Sequence, residues 1–152
     1  MKLAEALIAR ADNQKRLEQI KERLYRNARV QEGDEPAEDP AQLLQESERV
    51  ARQLQELIQR INRTNAATPF DDDLTISDAL AIRDVLRVRQ ALYRGLGQAA
   101  AVHQDRYMRS ELKFESTVDV RSIQQRADEL AAEHRELDTR VQELNWNTDL
   151  LE

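Results

Sequence analysis

Residues 40–63 read PAQLLQESERVARQLQELIQRINR, and the spacing of their apolar side chains decides the fold class. Apolar residues that recur at alternating steps of three and four lie on one face of an α-helix. Asp39 followed by Pro40 is a typical helix start, because the carboxylate caps free N–H groups and proline needs no donor in the first turn. The segment therefore predicts a helix about 40–63 with one buried seam, made of Leu43, Ser47, Val50, Leu54, Leu57 and Ile61.

The same periodicity recurs in three other stretches. Residues 2–29 carry a looser apolar stripe. A helix from Thr75 or Ser77 to about 102 is apolar around much of its circumference, which indicates contacts on more than one side. A fourth helix, about 119–145, has a strict seam formed by Ile123, Ala127, Leu130, His134, Leu137, Val141 and Leu144.

These four helices predict the architecture. At 1.5 Å per residue their lengths come to about 36–42 Å, so they can lie side by side over their full extent. The short connectors after the first and second helices make those neighbours antiparallel. We expect an all-α fold, an antiparallel bundle of four long helices built as coiled-coil-like hairpins, forming a single helical domain over residues 1–152.

Residues 105–117 break the helical rhythm. Apolar and charged side chains alternate here, the pattern of an extended strand with one apolar face. A lone strand needs a partner to pair with, and a second copy of the chain supplies one. The segment therefore predicts a homo-oligomer whose interface includes Met108, Leu112 and Phe114.

Composition narrows the function classes. The net charge of −6 disfavours nucleic acid as a partner, because binding depends on neutralising phosphates. The chain has no cysteine, so disulfides and thiolate metal sites are excluded. Its first residues, MKLAEA, lack a signal-peptide pattern, and no apolar run approaches the length of a membrane span. We expect a cytoplasmic protein, with a membrane partner disfavoured.

The motifs that carry chemistry are missing from the sequence. No Glu-x-x-His pair, phosphate-binding glycine loop or nucleophile elbow occurs. His134 occupies a seam position, where a polar side chain usually sets the register of the helices. The sequence predicts no catalytic residues, no cofactor and no metal site, and hence not an enzyme.

One basic cluster leaves two interpretations open. Its arginines can bind an anion, such as a phosphate or carboxylate ligand, or they can pair with the acidic residues of the fourth helix. The pairing is favoured, because that helix carries more acids than arginines. The candidate anion-binding residues are Arg83, Arg87, Arg94, Arg106 and Arg109.

Several stretches resemble a known family. The chain is similar to the septicolysin-like family of small bacterial proteins in MKLAEAL (1–7), RNARVQEGDEP (26–36), INRTNAAT (61–68), DALA (78–81), RDVL (83–86), QDRY (104–107), RSE (109–111) and NWNTDLL (145–151). The resemblance implies helical, oligomeric proteins and supplies no catalytic residues. The family's name implies an oxygen-stable cytolysin.

The leading functional hypothesis is therefore a non-enzymatic helical protein that assembles with itself. The alternatives are a septicolysin-like cytolysin, which forms pores or perturbs membranes, and a helical protein that binds an anion or another small ligand through the arginine cluster.

Overall fold

The computed structural model describes residues 1–101 and 113–152, and these residues form four helices. The all-α prediction is confirmed, since the described residues form only two isolated β-bridges and no longer strand. The helices are α1 (Leu3–Arg26), α2 (Pro40–Ala67), α3 (Ile76–Ala100) and α4 (Val120–Asn147).

The predicted extended segment near 105–117 falls largely outside the described residues. Only residues 113–117 are described, and they form neither helix nor strand.

The predicted start of α2 is confirmed and its predicted end is wrong. Asp39 accepts a hydrogen bond from the backbone N–H of Ala41 at 2.9 Å, with Pro40 in the first turn. At the other end, the helix does not stop at about residue 63 and continues to Ala67. The reason is that Thr64 is fixed there: it is fully buried, its hydroxyl accepts a hydrogen bond from the N–H of Leu151, and its carbonyl accepts bonds from the N–H and the hydroxyl of Thr68.

The chain divides into two compact units. The first comprises Met1–Ile76 with Gln142–Glu152, and the second comprises Ser77–Val141. The single domain expected over 1–152 stays a prediction.

The first unit is built on the antiparallel pair α1 and α2. Arg16 of α1 forms an ion pair with Glu46 of α2 at 2.7 Å, and Arg23 of α1 forms an ion pair with Glu38 in the connector. Between the helices lies a cluster of aliphatic side chains: Ile20, Leu43 and Val50 are buried, and Leu17 and Leu24 pack against them.

The terminal residues close this unit. The backbone N–H of Leu3 donates to Thr148 at 2.9 Å, and that of Leu150 donates to Met1 at 2.9 Å. The Leu151 N–H donates to the buried hydroxyl of Thr64 at 3.0 Å, which ties the segment to α2 as well. These bonds hold the buried Leu150 in the first unit.

The second unit is built on the antiparallel pair α3 and α4. Arg83 of α3 pairs with Asp138 of α4 at 3.0 Å. At the other end, a Cβ on Gly97 would lie 3.4 Å from Cγ of Gln124, so the two helices come close there. The buried side chains of this unit include Ala79, Leu86, Ala127, Leu130 and Val141.

Both predicted seams are confirmed by burial. Every seam position of α2 and of α4, His134 included, is buried or half-buried.

Candidate functional surfaces on α3

Three kinds of side chain occupy three faces of α3. One face is buried, with Ala79, Leu86 and Gly97. Beside it lie Arg83, Arg87 and Arg94, which follow one another at steps of four and seven residues and so share one face. The remaining face, which we call the apolar face, carries Arg89 and a row of exposed aliphatic side chains at steps of three and four residues: Ile82, Val85, Val88, Leu92 and Leu96.

The apolar face is well exposed to solvent. Val88 and Leu92 are 67% and 63% exposed, and the other three are 37–56% exposed. At its N-terminal end runs an open groove of about 300 Å³, lined by Ala81, Ile82, Val85, Leu86 and Arg89. Single exposed aliphatic residues are common on proteins, but a row over four helical turns is not.

The arginine cluster is only partly an ion-pair network. Arg83 is paired, with Asp138 at 3.0 Å and with Asp84 at 3.4 Å, so the pairing interpretation holds for this residue. Arg87 and Arg94 are exposed and form no ion pair among the described residues. Arg106 and Arg109 lie outside the described residues.

Arg94 lines a polar cleft between α3 and α4. The cleft has a volume of about 460 Å³. Asp128 lies on its α4 side, yet Arg94 and Asp128 do not pair with each other. The remaining lining residues are Gln90, Gln98, Gln124 and Ala127.

The predicted oligomer interface is described at one residue only. Phe114 is 72% exposed. Met108 and Leu112 lie outside the described residues, so their role stays a prediction.

His134 carries an unsatisfied polar atom. The residue is half-buried in the α4 seam, and its Nε2 atom is buried without a hydrogen-bond partner among the described residues.

Several of the sequence's distinctive stretches have structural roles. Asn27 donates to the carbonyl of Arg23 at 2.8 Å and accepts from the N–H of Glu38 at 3.1 Å, so it ends α1 and anchors the connector. Hydrogen bonds from Arg23 lower the pKa of Glu38 below its ordinary value of 4.5. At the chain ends, Lys2 lies 2.8 Å from Asp149 and lowers its pKa in the same way.

Two kinds of site are absent from the described residues. These residues contain no cluster of three or more His, Asp or Glu side chains placed to hold a metal ion. No helix among them is both long and apolar enough to cross a membrane.

Comparison with known proteins finds relatives of unknown function. The sequence model of a family of unknown function, DUF6847, matches residues 10–150. A crystal structure of a functionally unknown conserved protein from Corynebacterium diphtheriae is similar to this chain, with 44% identity, a TM-score of 0.95 and 99% of each chain covered. No curated protein matches.

These findings correct the resemblance drawn from the sequence. The assignment to the septicolysin-like family is wrong, because both the family and the solved relative are of unknown function and neither points to septicolysin. The family model spans residues 10–150, and several of the quoted stretches build the first unit.

Proposed function

We propose that the chain, which belongs to the family of unknown function DUF6847, is a non-enzymatic protein that assembles with a second copy through the apolar face of α3. The observation that carries the proposal is the row of five exposed aliphatic side chains, from Ile82 to Leu96. Contact between such a row and water raises the free energy of the isolated chain. Covering the row removes apolar surface from water and lowers that free energy.

The energetics favour a second copy as the occupant. Complete burial of a large aliphatic side chain contributes about 1.5–3 kcal/mol. Since the five side chains are about half exposed, one copy of the face contributes roughly 4–8 kcal/mol and two copies contribute roughly 8–15 kcal/mol. Association itself costs about 4–15 kcal/mol. A contact across a two-fold axis buries the apolar face of both copies. Only this doubled burial contributes enough free energy to reach the middle of the range estimated for the cost of association.

The charges along α3 favour an antiparallel pairing of the two copies. The N-terminal part, through Leu86, carries two aspartates and one arginine, whereas the rest carries three arginines and no acid. Parallel pairing would place the basic ends together, and antiparallel pairing places each basic end beside the partner's acidic one. In this arrangement Val85 of one copy faces Leu92 of the other.

The sequence-based interface complements this surface. Phe114 is exposed, and with Met108 and Leu112 it remains a second candidate contact between copies.

Light scattering coupled to gel filtration tests the proposal. At micromolar concentration we expect about twice the 17.6 kDa of one chain. The double variant Val88→Asp with Leu92→Asp should run as a monomer, because two buried carboxylates would have to lose their hydration in the contact. The matched control is Leu44→Asp on α2, where another exposed leucine is replaced, and it should leave the mass unchanged.

A monomeric wild-type chain would end the proposal. A double variant that keeps the dimer mass would show that the copies meet elsewhere, with Phe114 as the next position to replace. Binding of the wild-type monomer to lipid vesicles would identify a membrane surface as the occupant instead.

A further inference from the structure

The cleft between α3 and α4 keeps two opposite charges apart. Arg94 lies eleven residues after Arg83, about three full turns along the same face of α3, and Asp128 lies ten residues before Asp138 on α4. Arg83 and Asp138 meet at 3.0 Å, so an arginine on this face of α3 can reach an aspartate of α4. Arg94 and Asp128 instead line a cleft of about 460 Å³ and bond neither each other nor any other described residue.

Glutamine side chains line the walls of the cleft, and the small side chain of an alanine lies between them. On α3 the lining residues Gln90, Arg94 and Gln98 follow at steps of four, which puts them in one row. Gln124 adds a third amide from α4, and the buried Ala127 leaves room between the rows. Each amide offers two donors and one acceptor, so the cleft can bond both halves of a peptide group.

This arrangement selects one chemical class of ligand. An anion such as phosphate would bond Arg94 but would be repelled by the Asp128 carboxylate. A simple cation would bond Asp128 but would be repelled by Arg94. A molecule that carries both an ammonium and a carboxylate bonds each wall with a charge-assisted contact. The volume falls within the range of ordinary small-molecule sites. We infer that the cleft binds a small zwitterion, a free amino acid or a dipeptide.

Titration calorimetry on the whole chain tests the inference, with L-glutamine and glycylglycine as probes. We expect saturable binding of at least one probe, one per chain, with a Kd on the order of 1 mM or tighter. Acetylation of the probe's amine, or conversion of its carboxylate to an amide, should weaken binding about tenfold or more, because each removes one charge-assisted bond. Inorganic phosphate should not bind in the cleft.

Variants assign the binding to the cleft. Arg94→Gln and Asp128→Asn should each weaken binding roughly tenfold or more, since both side chains are needed. Arg52→Gln on α2, which also replaces an exposed arginine, should bind as the wild type does. The cleft lies on a different face of α3 from the apolar face, so the Val88→Asp, Leu92→Asp variant should bind the probe whether or not the chain dimerises.

The inference is overturned if neither probe binds saturably to the wild-type chain. It is also overturned if the blocked probes or phosphate bind as well as the zwitterion, or if both cleft variants keep full affinity.

Discussion

Glu38 shows how single side chains fix the α1–α2 connector. Its carboxylate accepts hydrogen bonds from Nε of Arg23 at 3.0 and 3.1 Å, and its N–H donates to Asn27 at 3.1 Å. The first of these interactions depends on the charge of Glu38. The second is a backbone bond and does not.

The Arg23–Glu38 pair makes stability depend on pH in a defined direction. The pKa of Glu38 is lower in the folded chain than its ordinary 4.5, because Arg23 bonds the charged form. The stabilisation is therefore fully present above pH 4.5 and is lost as the pH falls through the folded value. Glu38→Gln should be less stable than the wild type at about pH 7, and the two should converge towards about pH 2.

Chemical denaturation followed by circular dichroism measures this difference across the pH range. Glu35→Gln in the same connector is the matched control and should follow the wild type. A Glu38→Gln variant that stays equally far below the wild type at low pH would refute the assignment to the charge.

At the scale of elements, periodicity predicted the helices and their seams. All positions of the α2 and α4 seams are buried or half-buried. Alternating steps of three and four place these side chains on one face of the helix, and that face is the one that packs. The end of α2 was missed because the residues that decide it are distant in sequence. Thr64 accepts a hydrogen bond from the N–H of Leu151, which lies 87 residues away, and the periodicity of residues 40–63 does not reveal that contact.

The surfaces of α3 were predictable only in part. The excess of apolar residues on this helix indicates contacts on more than one side. In the structure this excess forms the exposed apolar face, and a contact there stays a prediction. Arg94 was predicted from the sequence as a candidate binding residue, but the cleft was not predicted. The position of Asp128 opposite Arg94 depends on how α4 is aligned against α3, which the sequence pattern does not give. The α3 side of the cleft has one signal in the sequence: Gln90, Arg94 and Gln98 follow at steps of four, which places three polar side chains in one row.

His134 gives a prediction at the level of α4. Its Nε2 is buried without a partner among the described residues, and such an atom costs about 1–3 kcal/mol. His134→Leu, which fills the seam with an apolar side chain, should raise the free energy of unfolding by roughly 1–2 kcal/mol. Thermal denaturation should show a midpoint higher by about 2–4 °C per kcal/mol.

His134→Gln provides the comparison for this prediction. It keeps a polar group in the seam and should not gain stability. A leucine variant that is less stable than the wild type would mean that the histidine is needed in the seam, as the register interpretation holds.

At the scale of the whole molecule, the central claim is that two copies meet along α3 in opposite directions. The wild-type chain contains no cysteine, so single cysteines can be introduced without competing thiols. With the two-fold near Val88, this residue lies close to its own copy, whereas Ile82 lies roughly 20 Å from its copy at 1.5 Å per residue. A disulfide needs Cα atoms within about 7 Å of each other.

Disulfide cross-linking therefore tests the claim most directly. Under mild oxidation, Val88→Cys should form a cross-linked dimer and Ile82→Cys should not, whereas an equal mixture of Ile82→Cys and Leu96→Cys chains should cross-link to each other. Leu44→Cys on α2 should form no covalent dimer under the same conditions. Cross-linking of Ile82→Cys with itself would contradict the antiparallel arrangement, and the absence of cross-links at Val88, Ile82 and Leu96 alike would contradict the α3 interface.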